Sequence, residues 1–115
     1  MLYALLIHDD EKTWDERAQD EIGKMMDGYR AFGERNAAAI KDGQALQPTA
    51  TATTVRVRDG ERVLTDGPFA ETREQFGGYY VVDVPGLDEA IEVAAQIPGA
   101  ASGCVEVRPV MVFES

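Results

Sequence analysis

Leu2-Tyr3-Ala4-Leu5-Leu6-Ile7-His8, closed at once by Asp9-Asp10-Glu11, is the stretch on which the architecture turns. A membrane span needs roughly 20 apolar residues, and a signal peptide carries basic residues ahead of its apolar core. The run is too short for the first and has the reverse charge order for the second, so it predicts a strand over 2–8 in a cytoplasmic protein. Alternation puts Leu2, Ala4, Leu6 and His8 on one face, and Tyr3, Leu5 and Ile7 on the other. Both faces are apolar. One can pack on helices of the same chain, and something must then cover the second.

Downstream, Ile22, Met25, Met26, Tyr29, Phe32, Asn36 and Ile40 recur at spacings of three and four. The pattern predicts one long amphipathic helix over 14–42, with Gly43 as its terminator. Residues 52–58 and 61–65 alternate and are rich in β-branched side chains, and Asp59-Gly60 between them is a strong two-residue hairpin signal. A polar loop is expected over 66–76, a strand over 77–84, a helix over 87–97 ended by Pro98-Gly99, and a last strand over 103–113. This order suits an α+β fold: a ferredoxin-like antiparallel sheet with helices on one face. The bare sheet face would then be mixed, with apolar side chains interleaved among Arg56, Asp83, Glu106 and Arg108. Two such faces packed together would hide the apolar part, which predicts a homodimer.

With 115 residues, the chain has the size of one domain, 1–115. Its net charge of −10 excludes nonspecific nucleic-acid binding, which needs Lys and Arg to neutralise phosphates, and weighs equally against an anionic membrane. The single cysteine, Cys104, rules out an intrachain disulfide, and its apolar flanks predict a buried, inert thiol. His8, Asp9, Asp10 and Glu11 contain metal-ligating types. Consecutive strand residues point to opposite faces, however, so neither a metal nor a cofactor is expected. No phosphate-cradling loop, nucleophile elbow or HExxH pattern is present.

The most distinctive segment is Asp66-Gly67-Pro68-Phe69-Ala70-Glu71-Thr72, followed by Glu74-Gln75 and Gly77-Gly78-Tyr79-Tyr80. Asp66 is placed to start a tight turn with its carboxylate on backbone N–H groups, Pro68 fixes φ, and Phe69 would plug the loop onto the core. Together with Leu87-Asp88-Glu89-Ala90 and Val105-Glu106-Val107-Arg108-Pro109, the segment resembles the DGPF branch of the YCII-related domain proteins over almost the whole chain. The resemblance implies a dimeric α+β barrel. It also implies a link to sigma factors of the extracytoplasmic-function type, beside which such proteins are often encoded. Enzyme-like members of the wider family carry a histidine–aspartate pair, and the histidine's position on the first long helix is matched here by Phe32.

These readings give two functional expectations. The first is a small-molecule-binding dimer whose pocket lies near the 66–76 loop, with Glu71 and Tyr80 as polar lining and Phe32, Met25 and Phe69 as apolar wall. Were it an enzyme, proton-transfer or elimination chemistry on a small organic acid or aromatic is expected, with Asp66 or His8 as base. The second is a non-catalytic regulatory module that presents Asp15, Glu16, Asp20 and Glu21 to a basic protein partner.

Overall fold

In the computed structural model, which describes residues 1–113, the first apolar run is the strand β1, Leu2–Asp9. It is central in a four-stranded antiparallel sheet of order β2-β5-β1-β6. The other members are β2 (Ile40–Ala45), β5 (Gln75–Asp83) and β6 (Cys104–Pro109). Helices α1 (Glu11–Glu16) and α2 (Gln19–Arg35) join β1 to β2, and α3 (Leu87–Ala95) and α4 (Gly99–Ser102) join β5 to β6. Two β-α-β halves with this strand order make the ferredoxin-like α+β fold.

The helices bury one sheet face. Leu5, Phe32, Val82, Ala90 and Ile97 are at most 1% exposed, and Tyr3, Ile7, Val84, Val93 and Ala94 complete the core. Phe32 packs on the ring of Tyr80 at 4.9 Å between centroids. Tyr3, Leu5 and Ile7 therefore face the helices as alternation requires, while Leu2, Ala4, Leu6 and His8 face away and stay half-buried. The extents of 48 × 47 × 18 Å fit two layers and no third, and the radius of gyration of 16.2 Å exceeds the roughly 13 Å of a compact chain this long.

Several boundaries differ from the sequence-based expectation. The segment 14–42 is not one helix. The backbone is extended at Arg17 and Ala18, separating α1 from α2. At the far end Asn36 closes α2, its backbone N–H and its Nδ2 both donating to the Phe32 carbonyl, 3.0 and 3.1 Å away. The chain then turns into β2, so Ile40 and Gly43 are strand residues. Gly43 does not cap a helix; a Cβ there would lie 2.7 Å from the Tyr80 ring. On α3 the buried side chains are Ala90, Val93 and Ala94, while Leu87 and Ile91 are about half exposed, and Pro98-Gly99 opens α4 rather than only stopping α3. The last strand ends at Pro109 rather than continuing to 113.

The hairpin is also placed differently. Strands β3 (Thr53–Arg58) and β4 (Glu61–Asp66) pair only with each other, in a separate two-stranded sheet. Asp59 and Gly60 both have positive φ, 53° and 76°, as the two-residue turn requires. The hairpin is an arm inserted between β2 and β5, and β2 supplies the strand that the main sheet needs.

The two kinds of glycine predict opposite outcomes in urea unfolding. Gly43→Ala pushes a methyl into Tyr80 and is expected to destabilise by about 1–3 kcal/mol. Gly33→Ala, inside α2 with nothing within 4 Å of its Cβ position, is expected to stabilise by about 0.5–1 kcal/mol.

Candidate functional site

Alternation at the end of β1 sends His8 to the open sheet face and Asp9 to the helix side. Asp9 is thereby drawn into a polar cluster under α2 and α4. Its carboxylate accepts from Ser102 Oγ at 2.7 Å and from the Asp10 backbone N–H at 2.8 Å, and pairs with Arg17 Nη2 at 3.4 Å. The two side chains are only 12% (Asp9) and 15% (Arg17) exposed. The break between α1 and α2 positions Arg17, whose guanidinium lies over the Trp14 ring at 4.8 Å and sets Nη1 3.3 Å from Met25 Sδ. The Trp14 ring thus holds Arg17 through a cation–π contact. A guanidinium has five N–H donors, and these contacts engage two of them.

Tyr29, one turn along α2 from Met25, completes the cluster. Burial raises its phenol above the ordinary value of 10.0, and nearby Tyr80 and Asp9 add to this, while a Gly99 N–H bond and Arg17 oppose it. Tyr29 is thus a neutral hydrogen-bond donor at physiological pH. Gly99 is required beside it, because a Cβ there would sit 2.8 Å from the hydroxyl and 2.9 Å from Ile7. Beside the cluster lies an open groove of about 440 Å³, lined by Arg17, Glu21, Lys24, Met25, Pro98, Ala101 and Ser102. That volume is in the range of small-molecule pockets.

A second cleft, of about 380 Å³, lies beside the loop 67–74, with Glu71, Pro68, Thr72 and Gln75 on one side and Glu11, Lys12 and Thr49 on the other. Its polar groups largely hold each other. Both Glu11 carboxylate oxygens accept from Thr49, one from the backbone N–H and one from the hydroxyl, at 2.8 Å each, and the Glu11 N–H donates to Gln75 Oε1 at 2.9 Å. This is a clamp between the helix start and the loop.

The residues singled out in the sequence fall in different places. Glu71 lines the second cleft and Met25 the groove. Phe32 and Tyr80 are stacked in and against the core. Phe69 does not plug the loop; it is 81% exposed. Asp66 ends β4, exposed, and the turn after it is held by the Gly67 N–H on the Ala52 carbonyl at 2.7 Å and by Thr54 Oγ1 on the Gly67 carbonyl at 2.8 Å. His8 is on the open face, 5.5 Å from the Phe76 ring. Asp9 and Arg17 carried no motif; the available signal was that Asp9 falls on the apolar side of the alternation of β1.

Cys104 is exposed rather than buried. It lies directly across from His8 in the β1–β6 register, with Sγ 3.8 Å from Glu74 Oε1. Desolvation, then the charges of Glu74, Glu106 and Asp9 with the hydrogen bond to Glu74, raises its pKa above the ordinary value. The thiolate therefore forms only at higher pH than for a free cysteine, which makes the thiol a poor nucleophile near neutrality. Alkylation by iodoacetamide at a fixed pH of 8 should be slower than in the denatured chain, and Glu74→Gln should accelerate it. An unchanged rate in that variant would show that the Glu74 charge does not reach the sulfur.

The YCII-related domain model matches residues 1–114. An uncharacterized protein of Rhizobium meliloti (strain 1021) is 37% identical over 118 residues, covering 99% of this chain and 95% of that protein. Among solved structures, 5-chloro-2-hydroxyhydroquinone dehydrochlorinase (TftG) from Burkholderia phenoliruptrix AC1100, in complex with 2,5-dihydroxybenzoquinone, aligns with a TM-score of 0.51 at 14% identity. The alignment covers 96% of this chain and 94% of that one. At that identity the likeness is one of fold. Among the described residues, no helix is long and apolar enough to cross a membrane.

Proposed function

The chain belongs to the YCII-related domain family, and we propose that it is a homodimer that binds a small organic acid or hydroxyaromatic and acts on it by proton transfer or elimination. One observation carries this reading. The Asp9–Arg17 pair, both side chains nearly buried, lies with the Tyr29 phenol beside an open groove of ligand size, to which Arg17 and Ser102 give polar lining. A nearly buried charged pair next to a concavity is the kind of arrangement from which binding sites are built.

The division of labour follows from the chemistry. Arg17 holds an anionic oxygen of the ligand with its remaining donors, backed by Lys24 on the groove wall. Tyr29 donates a hydrogen bond to a second oxygen. Asp9, oriented by Ser102 and Arg17, accepts the proton released from the ligand. Elimination needs one such acceptor and a departing group, and the shared fold of the dehydrochlorinase supports this class by analogy alone. His8 offers a second base, because a dimer closed on the open sheet face would enclose it with Cys104 and Phe76. Glu71 would serve a ligand in the second cleft; Asp66, at the end of β4 beside the same loop, does not line it. In the non-catalytic reading, the exposed Asp15, Glu16, Asp20 and Glu21 on α1 and α2 would meet a basic protein.

Titration calorimetry with 2,5-dihydroxybenzoquinone, hydroquinones and small carboxylates distinguishes these. Arg17→Gln is expected to weaken binding roughly 10- to 100-fold, the equivalent of a lost charged hydrogen bond. Asp9→Asn is expected to keep binding and lose turnover, and Asp66→Ala to change neither. Circular dichroism checks that each variant is folded, since unpairing Asp9 or Arg17 costs about 1–3 kcal/mol of stability. Binding that survives Arg17→Gln intact in a folded protein moves the site to the second cleft or the open face.

A further inference from the structure

Two surfaces of this chain lack cover, and their chemistry is complementary. The arm β3–β4 is a two-stranded sheet that shares its ladder with nothing else, and such a hairpin is marginal in water by itself. Its register sets Val55 opposite Leu64 and Val57 opposite Arg62. Val55, Val57 and Leu64 therefore share one face with Arg62, and they are 57, 63 and 57% exposed.

The second surface is the open face of the main sheet, where Leu6 pairs with Tyr79 and Glu106, and Ala4 with Val81 and Arg108. Apolar side chains form its centre. Asp42, Glu74, Asp83 and Glu106 surround them; Arg108 is tied to Glu106 and the N-terminal ammonium to Asp83, so that among the described residues Asp42 and Glu74 have no cationic partner. Asp42 and Glu74 are then the charges that a surface covering this face has to meet, because burying an unpaired charge is costly. The arm carries no acid surplus. Its Arg56, Arg58 and Arg62 offset Asp59, Glu61 and Asp66, while the whole chain carries −10.

We propose that the arm of each chain reaches across a homodimer and lies on the open sheet face of the second copy. Val55, Val57 and Leu64 cover its apolar centre, and Arg62, on the same face near the tip, meets its acids. This rests on the homodimer proposed above and names what holds it together. The arm thereby gains the packing partner that a lone hairpin lacks, and the acids of the face gain a counter-charge.

Three measurements test it. Sedimentation of the wild type should show a dimer that weakens as salt is raised. The double variant Val55→Asp, Leu64→Asp, at exposed positions that leave the body's core intact, should raise the dimer dissociation constant at least about tenfold, because each new carboxylate would be buried unpaired. A photo-crosslinker attached through V57C, in a C104S background and a mixed ¹⁴N/¹⁵N sample, should join the arm to β1, β5 or β6 of the other copy. If the wild type sediments as a monomer at tens of micromolar, both the dimer and the arm exchange fail. A dimer that tolerates the arm variant, or crosslinks confined to one chain or reaching a helix of the other copy, overturns the arm exchange and leaves the dimer standing.

Discussion

Every other feature of this structure depends on β1 being hydrogen-bonded on both edges and apolar on both faces. As the centre of the sheet it pairs with β5 on one side and β6 on the other over nearly its full length, so its backbone groups are satisfied within the chain. Leu5 and its neighbours on one face are sealed by α2 and α3. Leu6 and its neighbours on the other are not, because two β-α-β crossovers of the same hand deliver both helices to the same side. The flatness of the molecule is the direct result.

The same alternation divides the chemistry. His8 and Asp9 are adjacent in the chain and on opposite sides of the sheet. On the helix side, Asp9 meets Ser102 and Arg17 in surroundings dry enough to keep the Tyr29 phenol neutral. On the open side, His8 meets Phe76 and Cys104, which lie 68 and 96 positions along the chain from it and are brought there only by strand register. The bulge at Gly77, where the β1–β5 register shifts between Ile7 and His8, lets Phe76 rather than Gly77 stand beside the imidazole.

What was legible in the sequence followed from short-range physics. Alternation identified β1 and its two faces, Asp59-Gly60 located the hairpin turn, and the spacing of Ile22, Met25, Tyr29 and Phe32 found the buried stripe of α2. What was not legible involved competition between distant parts. Ala37-Ala38-Ala39-Ile40 continues the helical pattern, yet Asn36 ends the helix and the open edge of β5 captures 40–45 as a strand. Ile-Lys-Asp-Gly-Gln-Ala has little strand character of its own; pairing with β5 and the fit of Gly43 under Tyr80 supply it. For the same reason the hairpin, the best local strand signal in the chain, stands outside the main sheet, whose edge was already taken.

The candidate site shows the same division between local and distant causes. The segment Asp66–Thr72 is conspicuous in the sequence, and in the structure it forms the root of an arm and one wall of a cleft. Asp9, Arg17 and Ser102 have no sequence signature, because each is an ordinary polar residue until folding removes water from around it. The α+β class, the two apolar faces of the first strand, the acidic composition and the membership of the YCII-related family all depend on residue type and near-neighbour spacing, and were readable before folding. Only the tertiary structure decided which strand completes the sheet, which face stays uncovered and which charges are buried together. Those outcomes depend on contacts between residues far apart in the chain, whose energies exist only once the chain is folded.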